Sequence, residues 1–275
     1  MNVARQLCRT IVITAARISE CLFSLETAFP AWTSTYSFPT EWLDTLGRMH
    51  MVIQPSVTGT VDARRRGPIP CLSHFRWRRT VRPARRYPQC CGGLLPDSET
   101  LLQRWASRFH VSARNPVALL SHVGEDCAGA VQFVRSERLA AVLSGESDRQ
   151  EPLPAHEIAQ RLQRVRVDQA AARRLDDAGQ YSLAGAQAKI ALLQRDDGGW
   201  EIPAGRIPTT HILKPPSGDY DGFVENEVFC LRLARQVGMS AAFAEMICVE
   251  DAQAISVRRY DRIRTAAGWQ RAAAV

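Results

Sequence analysis

Lysine is almost missing from this chain. Of its 35 basic residues only Lys189 and Lys214 are lysine, and all the others are arginine. A chain that uses arginine nearly everywhere but lysine at these two places points to a need for a compact ammonium there. A guanidinium fork is not an equivalent charge. The eight cysteines include no CxxC pair and no Cys/His ligand spacing, which excludes the common zinc motifs and leaves no expected metal site. They read instead as small buried hydrophobes in a reducing cytoplasm, with Cys90-Cys91 as two free thiols. No run approaches 18 consecutive apolar residues, so no membrane span is expected. The opening MNVARQLCRTIVITAARI carries a short apolar run, but Arg9 and Arg17 bracket it and no clear cleavage site follows. It is not expected to be a leader peptide.

The formal charge of +7 is local. Residues 61–90 hold nine arginines against one acid, Asp62, so the remainder sums to about −1. Within 50–93 no period of 2 or 3.6 is legible, and prolines are scattered through it. Three readings stay open: a basic nucleic-acid arm with Phe75, Trp77 and Tyr87 as stacking groups, a solvated loop, or a stretch translated out of its proper frame. Residues 1–30 are unassigned. TSTYSF alternates like a strand, and Pro39 opens a short helix in EWLDTLGRM.

Regular patterning returns at Leu94. Asp97 or Ser98 caps a helix whose Leu101, Leu102, Trp105 and Phe109 share one face. Asn115-Pro116 starts a second helix ending near Gly124, where Glu125 and Asp126 read as a turn, and AVQF follows as a strand. Residues 136–153 read as an exposed linker. HEIAQRLQRVR then has Ile158, Leu162 and Val165 at helical spacing.

The stretch from Ser182 to Lys214 concentrates the chemistry. SLAGAQAK is a small-residue loop whose backbone N–H groups can approach a phosphate, although it matches neither GxxxxGK[ST] nor GxGxxG. KIALLQ and WEI read as strands joined by the Asp196–Gly199 turn, and THILK as a strand carrying Lys214. FVENEVFCLRLARQVGM is a helix with Glu225 and Glu227 in its first turn and Gly238 as its stop. The acids either complement the helix dipole or, as in a kinase lobe, pair with the strand lysine. AISVRRYDR follows as a strand ending in a charged cluster.

Taken in order, LLPDSE, LLSHVGEDCAGAVQF, SLAGAQAK, PTTHILKP, NEVFCLRLA and RYDR resemble the HipA-like serine/threonine kinases of bacterial toxin–antitoxin modules. The resemblance runs from about Leu94 to Arg262, and TYSFPTEWL extends it to the family's N-terminal segment. It implies an α+β fold, with a HipA N-terminal subdomain over 31–135 and a kinase-type N-lobe over 154–275. It also implies ATP and Mg²⁺ as cofactors, a HipB-like DNA-binding antitoxin as partner, and a protein of the translation machinery as acceptor. By the same resemblance Ala184, Gly185, Ala186, Gln187 and Lys189 match the phosphate loop, and Lys214 the ATP-positioning lysine. Asp261 matches a position near the hinge, and Ser182 matches the serine that family members autophosphorylate.

Two departures bear on activity. Arg258 replaces the family's acid before Arg-Tyr-Asp-Arg, and the sequence runs only 13 residues past Arg262, where GWQRAAAV loses the family pattern. The acceptor-orienting Asp and the metal-binding Asn and Asp belong to a C-lobe that is absent here, so no catalytic residue is assigned and an inactive chain is expected. A non-catalytic protein that binds the antitoxin is the rival reading, and an arginine-rich nucleic-acid binder a weaker one.

Overall fold

Two antiparallel sheets organise the chain. The structure, a computed structural model, describes residues 11–14, 49–53, 91–168, 181–217 and 221–272. The strand expected in TSTYSF and the helix expected after Pro39 lie outside these residues.

The first sheet has strands β1 (Ile11–Thr14), β2 (Met49–Ile53) and β3 (Val131–Arg135), in the order β1-β2-β3. Residues 11–14 and 50–53 therefore have regular structure inside segments whose sequence shows no period. Helices α1 (Glu99–Phe109) and α2 (Pro116–Val123) follow β2 in the chain. Ser98 caps α1 by accepting from Leu101 N–H, and Asn115 caps α2 by accepting from Ala118 N–H. Their apolar faces bury Leu101, Trp105, Leu119 and Leu120 in one core with Phe133 of β3. Gly124 is the only residue type that fits the end of α2, since a Cβ there would meet Leu120 O at 2.6 Å and Phe133 Cβ at 2.8 Å.

Residues 136–153 are not a linker. They form α3 (Ser136–Ser144) and β4 (Arg149–Leu153). Val142 of α3 packs on Val134, the neighbour of Phe133 and so on the opposite face of β3. Strand β4 pairs with β6 (Trp200–Ala204) and buries only Leu153, as suits the edge of a sheet.

The second sheet has six strands in the order β4-β6-β5-β7-β9-β8, with β5 (Ile190–Gln194), β7 (His211–Lys214), β8 (Ala244–Val249) and β9 (Ala252–Arg258). Strand β5 is buried along Ile190–Leu193 on both faces, so the alternation expected of KIALLQ gives way to a continuous apolar run. Helix α4 (Ala155–Val167) covers one face, packing Ile158, Leu162 and Val165 against Ile190, Leu192, Leu213 and Ala254. Helix α5 (Phe223–Gln236) covers the other, packing Val224 and Val228 against Ala244 and Ile255. Gly238 follows α5 with φ of 82°. A hairpin of β10 (Arg262–Thr265) and β11 (Gly268–Arg271) closes the described chain. GWQR is thus regular structure, and Arg271 is 1% exposed.

Candidate phosphate-binding site

Strand alternation decides where Lys214 points. Leu213 belongs to the core under α4, so its neighbour Lys214 faces α5, opposite Ile255 in the strand register. There its Nζ donates to Glu227 Oε1 at 2.6 Å, with both side chains about one-fifth exposed. Glu227 Oε2 is buried and has no hydrogen-bond partner among the described residues. The other acid near the start of α5, Glu225, instead accepts from Gln253 at 2.8 Å.

Lys189 directly precedes β5, one residue before the α4-facing Ile190, and its ammonium donates to Ala184 O. Its pKa lies below the ordinary lysine value, first through burial and then through the nearby positive charge of Lys214. Asp97 and Glu227 oppose that shift. The two lysines are therefore close enough to feel each other, and each uses one of three donors on the described protein. Between Ser182 and Lys189 the loop runs through exposed Ala184, Ala186 and Gln187. Gly185 has φ of 96°, a backbone conformation that favours glycine, and Lys189 Nζ would lie 2.9 Å from a Cβ there.

The loop is fastened at its start. Tyr181 bridges to Asp126, Ser182 N–H donates to Asp126 O at 3.0 Å, and Ser182 Oγ donates to Leu94 O at 2.7 Å. Ser182 is 1% exposed. Leu183 and Ala188 face Pro96, Leu101 and Trp105 of the N-terminal unit across a small cavity.

Asp261 makes its contacts elsewhere. It is buried, and its carboxylate takes Gly129 N–H at 2.7 Å and the guanidinium groups of Arg259 and Arg262 at 2.9 Å each. Beside it Asp126 accepts from Thr209 N–H at 2.9 Å and Thr209 Oγ1 at 2.6 Å. Its other oxygen accepts from Arg262 at 2.6 Å and Arg271 at 3.1 Å. Burial opposes charge on Asp126, yet Arg262, Arg271 and Arg259 hold its carboxyl far below the usual carboxylate range. Burial lowers Arg262 to about 10. Every guanidinium nitrogen of the three arginines donates, several of them to the carbonyls of Glu125, Cys127, Gly129, Arg206 and Thr209. Arg258, the departure from the family pattern, is exposed and lies over the Trp269 ring at 5.6 Å.

The sequence reading therefore missed Asp126 and Arg271. Glu125-Asp126 looked like an ordinary helix-end turn, and the only sign against it was an arginine-rich RRYDR with too few local acids to neutralise it. Among the described residues no cluster of three or more His, Cys, Asp or Glu could hold a metal ion. Nor is any described helix long and apolar enough to cross a membrane.

Residues 33–134 match the HipA N-terminal domain model, and residues 181–274 match the HipA-like C-terminal domain model. The first match runs through 50–93 and the second through GWQR. "Putative kinase Y4mE" of Sinorhizobium fredii is 38% identical over 181 residues, which cover 64% of this chain and 41% of that protein. "Serine/threonine-protein kinase toxin HipA" of Shewanella oneidensis is 31% identical over 178 residues, covering 65% and 38%. The matched segment thus spans about two-fifths of these relatives. The fold is shared with HipA in the Shewanella oneidensis complex of HipA, HipB and operator DNA, at a TM-score of 0.52 and 23% identity over 86% of this chain and 51% of that one. With both HipA domain models matched in order along one polypeptide, the chain belongs to the HipA family.

Proposed function

We propose that residues 154–275 are the phosphate-holding N-lobe of a HipA-like protein serine/threonine kinase, set beside the family's N-terminal subdomain. The Lys214–Glu227 ion pair carries this reading, because it joins a strand lysine to a helix acid where a kinase lobe needs the lysine held on the α- and β-phosphates. The residues present suit a nucleotide triphosphate. Two ammonium groups with spare donors lie beside a small-residue loop whose Ala184, Ala186 and Gln187 are exposed. Bound ATP supplies the phosphoryl group; Ala184–Gln187, Lys189 and Lys214 bind and orient its phosphates. Ser182 is the proposed autophosphorylation site. Its hydroxyl sits on Leu94 O, so modification requires the loop to leave this seat, and a phosphate cannot return to it.

The acceptor-orienting and Mg²⁺-binding acids are assigned to none of these residues. A polypeptide of residues 1–275 alone is therefore expected to bind ATP weakly and to transfer no phosphate. A HipB-like antitoxin is the proposed partner, by extension from the related HipA–HipB assembly. A protein of the translation machinery is the proposed acceptor, in the cytoplasm.

Thermal melting tests the nucleotide site. Millimolar MgATP should raise the melting temperature of the wild-type chain and leave that of Lys214→Ala unchanged, because ligand binding to the folded state stabilises it by mass action. An equal rise in both would remove Lys214 from the site.

A further inference from the structure

One residue ties the start of the phosphate loop, the approach to β7 and the β10–β11 hairpin together. Asp126 lies at the end of α2, in the N-terminal unit. Through its backbone it holds the start of the loop, bridging Tyr181 and accepting from Ser182 N–H at 3.0 Å. Through its carboxylate it accepts from Thr209, two residues before β7, the strand that carries Lys214. It also gathers Arg262 and Arg271, which begin and end the β10–β11 hairpin beyond β9. Arg259 completes the closure: its Nη1 donates to Thr209 Oγ1 at 2.9 Å and its backbone N–H to Thr210 O at 2.9 Å.

The far end of the loop is fixed differently, by β5 in the middle of the six-stranded sheet. The loop therefore spans two bodies. Its exit belongs to the sheet that carries Lys214, and its start belongs to the N-terminal unit. A small displacement of that unit moves Ser182 relative to β5 and changes the path of Ala184–Gln187 past the two lysines. The carboxylate of Asp126 prevents such a displacement, because it is locked to both bodies at once.

We propose that the N-terminal unit is a positioning device for the phosphate loop, with Asp126 as its positioning residue. The state of the N-terminal surface thereby sets how well the loop is formed. This rests on the phosphate-loop reading above for its functional meaning, but the mechanical coupling is a property of the fold. A partner that shifts the N-terminal unit would tune nucleotide binding without touching the nucleotide.

Hydrogen exchange in the nucleotide-free 275-residue chain tests the coupling. In Asp126→Asn, which keeps the backbone carbonyl and the side-chain shape, the Ser182 amide that sits on Asp126 O should exchange about tenfold faster. The amides of β5 and α4 should accelerate less than the loop, and by no more than the loss of global stability that the variant shows in urea unfolding. Glu125→Gln is the control, since the Glu125 carboxylate is taken up by Arg138 rather than by Thr209 or the buried arginines; its loop should exchange at the wild-type rate. Thr209→Val removes one hydroxyl donor to Asp126 and gives a milder variant, with loop exchange about threefold faster. It keeps the proposal open to refutation should Asp126→Asn not fold. Loop exchange unchanged in a folded Asp126→Asn or, failing that, in Thr209→Val overturns the proposal. So does acceleration spread evenly over the whole chain, which is what a merely structural role predicts. Absence of ATP binding by wild type would sink the nucleotide reading instead, since the exchange measurement uses no nucleotide.

Discussion

Among the described residues two clusters of basic residues stand out, and they are built on opposite principles. Arg259, Arg262 and Arg271 are fully buried and every guanidinium nitrogen is engaged by carboxylate, hydroxyl or carbonyl. Lys189 and Lys214 are partly buried and use one donor apiece on the described protein. The arginine cluster is buried with each guanidinium nitrogen already donating within the protein, so its charge is structural: it fastens the N-terminal unit to the sheet. The lysine cluster retains donors, charge and an open loop beside it. The rarity of lysine in the sequence acquires a physical sense from this contrast. A planar five-donor fork suits a closed buried junction, and a compact ammonium suits a site that must accept and release phosphate.

Breaking the arginine junction should have the largest effect. Asp126→Ala leaves Arg262 and Arg271 without their buried counter-charge and is expected to cost about 3–5 kcal/mol in urea unfolding. A loss below about 1 kcal/mol would mean that water or rearrangement compensates the cations, and the junction would then not differ in kind from the lysine site. Arg262→Lys should cost roughly 2–3 kcal/mol in the same measurement, because an ammonium cannot reach the carbonyls of Gly129 and Thr209 together with Asp126.

Acid sharpens the comparison. His211 is buried, and its pKa falls to about 4, first through burial and then through the Arg258 charge. Thr210 Oγ1 accepts from Gln194 N–H and lies 2.9 Å from His211 Nδ1, an arrangement satisfied by a neutral ring. The unfolded chain takes this proton near pH 6.5 and the folded chain does not. Stability should therefore fall by roughly 2–3 kcal/mol as pH drops from 6.5 to 4, and His211→Gln should flatten that part of the curve. Asp126 and Asp261 have depressed folded values. Their contribution is present above the unfolded carboxylate value and is lost only as pH falls below about 4. A stability curve that falls between pH 6.5 and 4 equally in both proteins would remove His211 from the account.

Much of the fold was legible because it is local. Ser98 and Asn115 announce the starts of α1 and α2, and the spacing of Ile158, Leu162 and Val165 gives α4 its buried face. The lysine strand and the acid-bearing helix were readable as elements, and family resemblance supplied the expectation that they meet. Strand β4 was not legible: RQEPL is held at the sheet edge by backbone pairing to β6, and only Leu153 is buried. The Asp126 junction was illegible for another reason. Its partner Arg262 lies 136 positions away, and no local pattern records a contact at that range. Arg271 was hidden in the same way, inside a stretch whose composition looked like a sequence losing its pattern.

The most direct test of the contrast is a pair of calorimetric titrations, ATP and adenosine, into wild-type and Lys214→Arg chains at low ionic strength. Wild type should prefer ATP by about tenfold or more, through its phosphates. Lys214→Arg should keep the fold and lose most of that preference. Equal affinity of wild type for ATP and adenosine would contradict the claim that the two lysines and their loop form a phosphate site.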